Sequence, residues 1–600
     1  MTFNLKSTED KIARYTMRKN LYITALLFIS GSSVLWAQEK DKNKEKEEEG
    51  IGTEVVNVVK PYTPTISDAN KIQETPSLND SITTTRKNIE YNIFSVPVAS
   101  TFTPAKGKAT GLKKAAKERL YNSYLSLGLG NYNTAMLDFY TSRDFSRDES
   151  LDIMLNHHSS QGGIDNVVLD DKFFNTSLEA YYRKRDRYMS WGLNGGFQHQ
   201  IYNWYGLPEG VYSDAVIGSI DEKQSYYTGF VGGNLEFEES YFTGGEVYYR
   251  RFWDAYSSGE NRAVLKPKFQ FPVGEELVNL DVAVDYVGGS FDRIYGNANT
   301  DINYSNLFAG VKPSIQILND GLTLNLGASI VYNQDLENSD GDFFFYPNVD
   351  VSYDIVDEFV TAYGGVDGSL QQNSYYQFAQ ENPYVSPTLN IMPTDQQYNA
   401  FAGIKGRFLP NVGYNLKGSY IVENNKYIYK SNSIYTGQDS QIVNNEGYAY
   451  GNSFGVVYDD VTTISVYGEV NADINRNFSL GANAEFIDYS TDNEEEAWNL
   501  PTIQGALFAN YKYGKWSAGA HLFYVGERHD RIDSPILLDP ETVSLDGYFD
   551  INANIGYDIT NQWSAFIKAN NIANNQYSRL VFYPVQGFQI LAGAAYKFDL

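Results

Sequence analysis

The chain has 600 residues, with 74 Asp and Glu against 47 Lys and Arg, a formal net charge of −27, 49 Tyr, 34 Phe, 50 Gly and no Cys. The acidic balance argues against nucleic acid as a partner, and the lack of Cys excludes disulfides, thiolate metal ligands and a lipid-bearing cysteine at a mature N-terminus. A mean hydropathy of −0.41 excludes a bundle of membrane helices. It suits a strand barrel, in which only every second residue meets lipid and abundant Tyr forms girdles at both interfaces.

In chain order, Met17, Arg18 and Lys19 open a charged region. Leu21 to Trp36 is a mostly apolar core, and Ala37 stands at a cleavage position before Gln38. This reads as an export signal over residues 1–37, too short and too early for a lasting membrane helix, with the first sixteen residues reflecting an upstream start codon. Residues 38–120 form a short irregular segment. Asp41 to Glu49 is a charged linker and Ile51 to Val59 an extended apolar patch. Pro61, Pro64, Pro76, Pro97 and Pro104 punctuate a polar region beyond it, and a basic run from Lys106 to Arg119 has helical character. Two readings stay open: a tail leading into the first strand, or a segment that enters a barrel or meets a periplasmic partner.

From residue 121 onward the period is two. Phe174, Leu178, Ala180 and Tyr182 alternate with Asn175, Ser177, Glu179, Tyr181 and Arg183. Val278 to Tyr286 alternate with Asn279, Asp281, Ala283 and Asp285. Val349, Val351, Tyr353 and Ile355 alternate with Asn348, Asp350, Ser352 and Asp354. Phe549 to Tyr557 alternate with Asp550, Asn552, Asn554, Gly556 and Asp558. Short turns are expected at 318–321, 356–359, 475–478, 513–516 and 560–563. Long polar connections lie between them, at about 205–224, 379–397, 431–452 and 529–545. Short turns on one rim and long loops on the other mark an outer-membrane barrel. A soluble all-β sandwich also alternates, but has no reason to sort its loops this way. The expectation is an all-β, transmembrane, antiparallel up-and-down barrel of about 22 strands spanning residues 121–600.

The last strand, Phe588 to Leu600, has the length that a tilted bilayer crossing requires. Its Tyr596, Phe598 and Leu600 read as the closing signal presented to the barrel-assembly machinery. On the luminal face the candidate functional residues are Asp281, Asp285, Asp350, Asp354, Asp550, Asn552, Asn554 and Asp558, with Arg183 and Arg185 as balancing cations. They would line a polar solute path, dock a plug, or only hydrate the interior. Enzyme chemistry finds little support. His157 and His158 are adjacent, so on a strand they point to opposite faces and share no metal. His199, His521 and His529 have no nucleophile motif beside them. No cofactor is implied.

Asn570 to Tyr577 resembles the Asn-Leu-Phe-Asn/Asp-x-x-Tyr motif near the end of TonB-dependent receptors. Pro584 to Phe588 stands where that family has its next turn, here without the Arg, and Phe598 supplies the terminal aromatic. A signal ending in Ala-Gln and the Tyr/Asn-rich strands resemble such proteins from Bacteroidetes. The resemblance implies a Gram-negative outer membrane, solute uptake or reception, and TonB as a partner. Thr53, Glu54, Val55, Val56, Asn57, Val58 and Val59 resemble a TonB box. The family's plug domain is not found, since residues 38–120 are too short for it. A wide barrel left open would leak, so the lumen is expected to be filled by the N-terminal segment, by infolded loops or by another protein. The alternative function is a non-transporting barrel that scaffolds an envelope assembly or secretion complex.

Overall fold

The computed structural model describes residues 119–274, 276–295, 300–434, 446–533 and 540–600. The export signal and the Thr53–Val59 segment lie outside these residues. The described chain forms one antiparallel sheet of 22 strands. The first strand, Ser123–Gly130, pairs both with its successor and with the last strand, Gln589–Phe598, in register from Ser123↔Phe598 to Gly130↔Leu591. That pairing closes the sheet on itself. Among the described residues no helix is long and apolar enough to cross a membrane. Closure is what lets strands do so instead, because it leaves no unpaired backbone edge in lipid.

Ten connections of two to four residues occupy the rim that carries both Ser123 and Phe598. They include 320–321, 357–359, 476–477, 514–515 and 559–562, the sites expected from sequence. The opposite rim carries the long ones: 204–222, 372–393, 432–453, 526–547 and 571–588. By the outer-membrane pattern the short-turn rim is periplasmic and the long-loop rim faces outward.

Side-chain alternation sorts the two faces. Leu193, Val231, Val247, Leu265 and Leu507 are each half exposed or more and form part of a continuous apolar outer wall. Aromatic pairs border it. Toward the long loops, His199 stacks on Tyr227 at 4.6 Å and Tyr227 on Trp253 at 5.5 Å. Toward the short turns, Trp516 lies 4.6 Å from Tyr557 and Trp563 4.5 Å from Tyr596. These are the amphipathic rings that a bilayer interface selects. The outer wall is thus a lipid surface, and the fold is that of a protein of the Gram-negative outer membrane.

Inside, the abundance of Gly and aromatics finds a local cause. Phe230 sits directly across from Gly196, and Tyr363 from Gly403. A Cβ on either glycine would come within 2.7 Å of the facing ring. The ring lies flat over its neighbour only because that neighbour has no side chain, a cross-strand pairing that pins register.

Strand length locates what projects from the membrane. A tilted crossing uses about 9–11 residues, but Val412–Ser431 has 20 and Phe454–Asn475 has 22. Both meet short turns at their periplasmic ends, so their surplus rises on the long-loop side.

Candidate functional site

The acidic wall residues do not gather into one site. Asp281 and Asp285 lie on the ninth wall strand, Asp350 and Asp354 on the twelfth, and Asp550, Asn552, Asn554 and Asp558 on the twentieth. Asp281 and Asp285 share parity with Val287 and Phe291, both fully buried. Their strand's other face is set by Val284, which lies opposite lipid-facing Leu265. Most have cross-strand partners. Asp285 takes a bidentate bond from Arg262 at 3.0 and 2.6 Å, and Asp281 is flanked by Lys268 and Lys312. Asp350 accepts from Asn325 at 2.6 Å and Asp354 from Thr361 at 2.6 Å. Asp550 accepts from Tyr577 at 2.7 Å, and Asn552 from the Asn571 N–H at 3.0 Å. Asn554 faces Gly519 and Asp558 sits at the short-turn rim, its N–H donating to Lys515. Arg183 pairs with Asp152, while Arg185 is exposed at the end of its strand. Tyr596 packs on Trp563 and Phe598, and Leu600 is exposed with its N–H on Asn122. His521 faces Phe508 and Asn552 across the sheet. His529 belongs to a two-stranded hairpin of Arg528–Ile532 with Glu541–Leu545.

What the chain does bring together is the long loops. Tyr205, Tyr226, Phe252, Tyr375, Phe378, Val385, Phe454 and Tyr583 belong to one buried apolar cluster. Its residues come from wall-strand ends and from the connections after Ser160, Asn203, Gln371, Ser431, Val525 and Asn570. The rings of Tyr384 and Tyr583 are 4.0 Å apart, and Tyr205 lies 4.7 Å from Tyr583. Polar tips are tied to backbone. Trp204 Nε1 donates to the Tyr384 carbonyl at 3.2 Å, Tyr205 Oη to Pro584 at 2.9 Å, and Tyr226 Oη to Pro383 at 3.0 Å. Tyr583 donates to the Asn452 carbonyl. This is the aromatic core of a cap laid across the mouth of the barrel.

One segment spans the cap. The helix Tyr375–Glu381 starts at Ser374, whose Oγ accepts from the Gln377 N–H at 3.1 Å, a standard N-cap. Gln380 exchanges hydrogen bonds with Gln200 on the fifth wall strand, the shorter at 2.8 Å. The next residue, Glu381, accepts from Tyr427 and Tyr429 on the fifteenth, at 3.0 and 2.7 Å. Strands far apart around the wall are therefore joined through two adjacent side chains.

The start of the helix is latched to the wall by buried charge. Glu260 is wholly buried and accepts from Arg250 at 3.0 Å, Tyr304 at 2.8 Å and the Tyr375 N–H at 2.5 Å. The Arg250 guanidinium also stands 3.8 Å over the Tyr376 ring. Asp254 accepts from the Tyr375 hydroxyl at 2.7 Å and from the Tyr256 and Ser258 N–H groups, each at 2.8 Å. A carboxylate so placed is costly unless saturated with donors, and these two are.

The hairpin carrying Asp530 clips onto the same cap. Its carboxylate accepts from the N–H groups of Ser431 at 3.1 Å and Arg531 at 2.8 Å. Burial raises this carboxyl to about 6, opposed first by a side-chain hydrogen bond with Asn499 and then by those backbone donors.

Neither the cap nor its latch was read from the sequence. The signal lay in connections too aromatic for solvated loops, such as Trp204-Tyr205, Tyr375-Tyr376 and Tyr448-Ala449-Tyr450. Of the three expected fillings of the lumen, the N-terminal segment to residue 118 lies outside the described residues; the described loops meet at the long-loop mouth.

The sequence matches no family model and no curated protein. Solved structures match in fold. The ferripyoverdine receptor of the outer membrane of Pseudomonas aeruginosa, bound to ferripyoverdine, aligns with TM-score 0.58 and 15% identity, over 81% of this chain and 72% of that one. The siderophore receptor PirA from Acinetobacter baumannii aligns at 0.60 and 12%, over 80% and 81%. The copper transporter OprC aligns at 0.57 and 13%, over 79% and 80%. The closed 22-strand barrel with its sorted loops is therefore similar in fold to the barrels of these outer-membrane receptors.

Proposed function

We propose that the chain is a gated outer-membrane receptor through which a solute enters the periplasm, with TonB engaging Thr53–Val59 to drive release. The observation that supports this best is the cap. A wide barrel meant only as a scaffold needs no hydrophobic core across its outer mouth, nor a buried latch that holds one helix in place. A gate needs both: a closed state at rest, and an anchor whose loss opens it. The wall carboxylates, spread along the lumen and paired with cations and amides, would then keep the path hydrated. The fold neighbours are receptors and a transporter, which agrees with this reading and leaves the solute open.

Reconstitution tests it. In planar bilayers the intact chain should conduct little, and Glu260→Ala combined with Tyr583→Ala should raise conductance severalfold. In cells, deleting residues 53–59 should abolish growth on the transported solute while barrel abundance stays unchanged. Silent bilayers for both forms, together with stable co-purifying envelope proteins, would favour the scaffold instead.

A further inference from the structure

A cavity of about 370 Å³ lies where the cap meets the inner wall, at the lower end of the size range of small-molecule sites. Phe173, Tyr202 and Asn203 at wall-strand ends, Tyr384 from the cap and Arg579 from the last long loop line it. Most of the cavity's charged groups are already engaged. Asp171 accepts from the Gly163 and Ile164 N–H groups at 2.9 and 2.8 Å. Glu381 is held by Tyr427 and Tyr429, and Lys172 by Asp170.

Two groups are left over. The Arg579 side chain is exposed and makes no hydrogen bond or ion pair among the described residues, which leaves its guanidinium free for a ligand. Its backbone is nevertheless fixed, because Arg528 Nη1 donates to the Arg579 carbonyl at 2.8 Å. Asn203 is 2% exposed, its Nδ2 donates to the Asp170 carbonyl at 2.8 Å, and its buried Oδ1 has no partner among the described residues. Leaving such an acceptor unsatisfied is unfavourable, so a bound donor that draws the side chain toward the cavity is the natural remedy. The guanidinium charge reaches the aromatic side. Burial raises the Tyr384 phenol to about 12, with the Tyr205 hydrogen bond and then the Arg579 charge opposing that rise.

We infer that this cavity is a binding site for a small organic anion, a carboxylate or phosphate ester carrying a flat ring and a hydroxyl or amine. Arg579 clamps the anion with its planar fork, the tyrosines take the ring, and Asn203 Oδ1 accepts from the donor. This deepens the proposed receptor function, on which it rests, by naming a solute class.

The test is calorimetric titration of the detergent-solubilised full chain with 4-hydroxybenzoate and 4-hydroxyphenyl phosphate, using uncharged 4-hydroxybenzamide as control. Saturable binding of at least one anion is expected, with the amide at least tenfold weaker. Arg579→Gln should weaken anion binding at least tenfold, Arg579→Lys should restore part of it, and both variants should keep the wild-type protease pattern of the cap. Equal binding of the amide, no saturable binding of either anion, or affinity unchanged in Arg579→Gln would each overturn the proposal. Arg579-dependent binding without solute flux in liposomes would uphold the site and sink the transport reading. Flux without such binding would do the reverse.

Discussion

Glu260 shows how one side chain can control a loop of more than twenty residues. Three donors converge on it, one of them the Arg250 guanidinium and one a helix N–H. Glu260→Ala leaves Arg250 buried without its counter-charge, a change that costs about 3–5 kcal/mol. The expected outcome is rapid proteolytic nicking within 372–393 while the wall remains resistant. Asp530 works in the opposite sense. Its unfolded carboxyl titrates near 3.9, and its folded carboxyl at about 6. The folded state therefore holds the proton more tightly, so this group's stabilising contribution is complete below about pH 4 and is lost as pH rises through 6. The loss is of order 2–3 kcal/mol. Hydrogen-exchange protection of Arg528–Ile532 should fall over that window and then level off. Asp530→Asn should be nearly flat; an unchanged slope in that variant would assign the titration to another group.

Among the elements, the paired glycines and rings were visible only as composition. The sequence carries the Gly and Tyr, but which ring covers which glycine is decided by register. Gly403→Val would push the Tyr363 ring off its neighbour and strain one hairpin, an overpacking cost of about 1–3 kcal/mol. That change should lower the unfolding temperature without altering conductance. In the cap, Tyr583 is the hub: its ring meets Tyr384, Tyr205 and Phe454, and its hydroxyl ties down the 432–453 connection. Tyr583→Ala removes a fully buried aromatic, a loss of about 3–5 kcal/mol. Channel noise in bilayers should rise for this variant alone, and a quiet trace would mean that the cap holds without its hub.

At the scale of the whole molecule, closure decides stability. The first strand has eight residues, and all eight pair with the last strand. Removing Phe588–Leu600 exposes two edges to lipid, where unpaired backbone groups are strongly disfavoured. The truncated chain should lose the heat-dependent gel shift of a folded barrel and fail to accumulate in the membrane.

The alternation of Val349 to Ile355 with Asp350 and Asp354, the tight turns at 320–321 and 514–515, and the aromatic last strand were enough to determine an outward-greasy barrel of this size. Each is a local pattern, imposed on neighbouring residues by the two-residue period of a strand and the thickness of a bilayer. The cap could not be reached that way. Tyr205, Tyr384, Phe454 and Tyr583 lie up to nearly four hundred residues apart, and neither helix nor strand periodicity links them. Their meeting depends on which strands outrun the membrane and lean over the mouth. The same holds for Arg579 and Asn203, ordinary polar residues in sequence, which become a candidate site only when packing engages nearby groups and leaves these two unmatched. Short-range order is written along the chain by sterics and solvent; long-range partnership is settled only when the closed sheet fixes where each loop begins and ends.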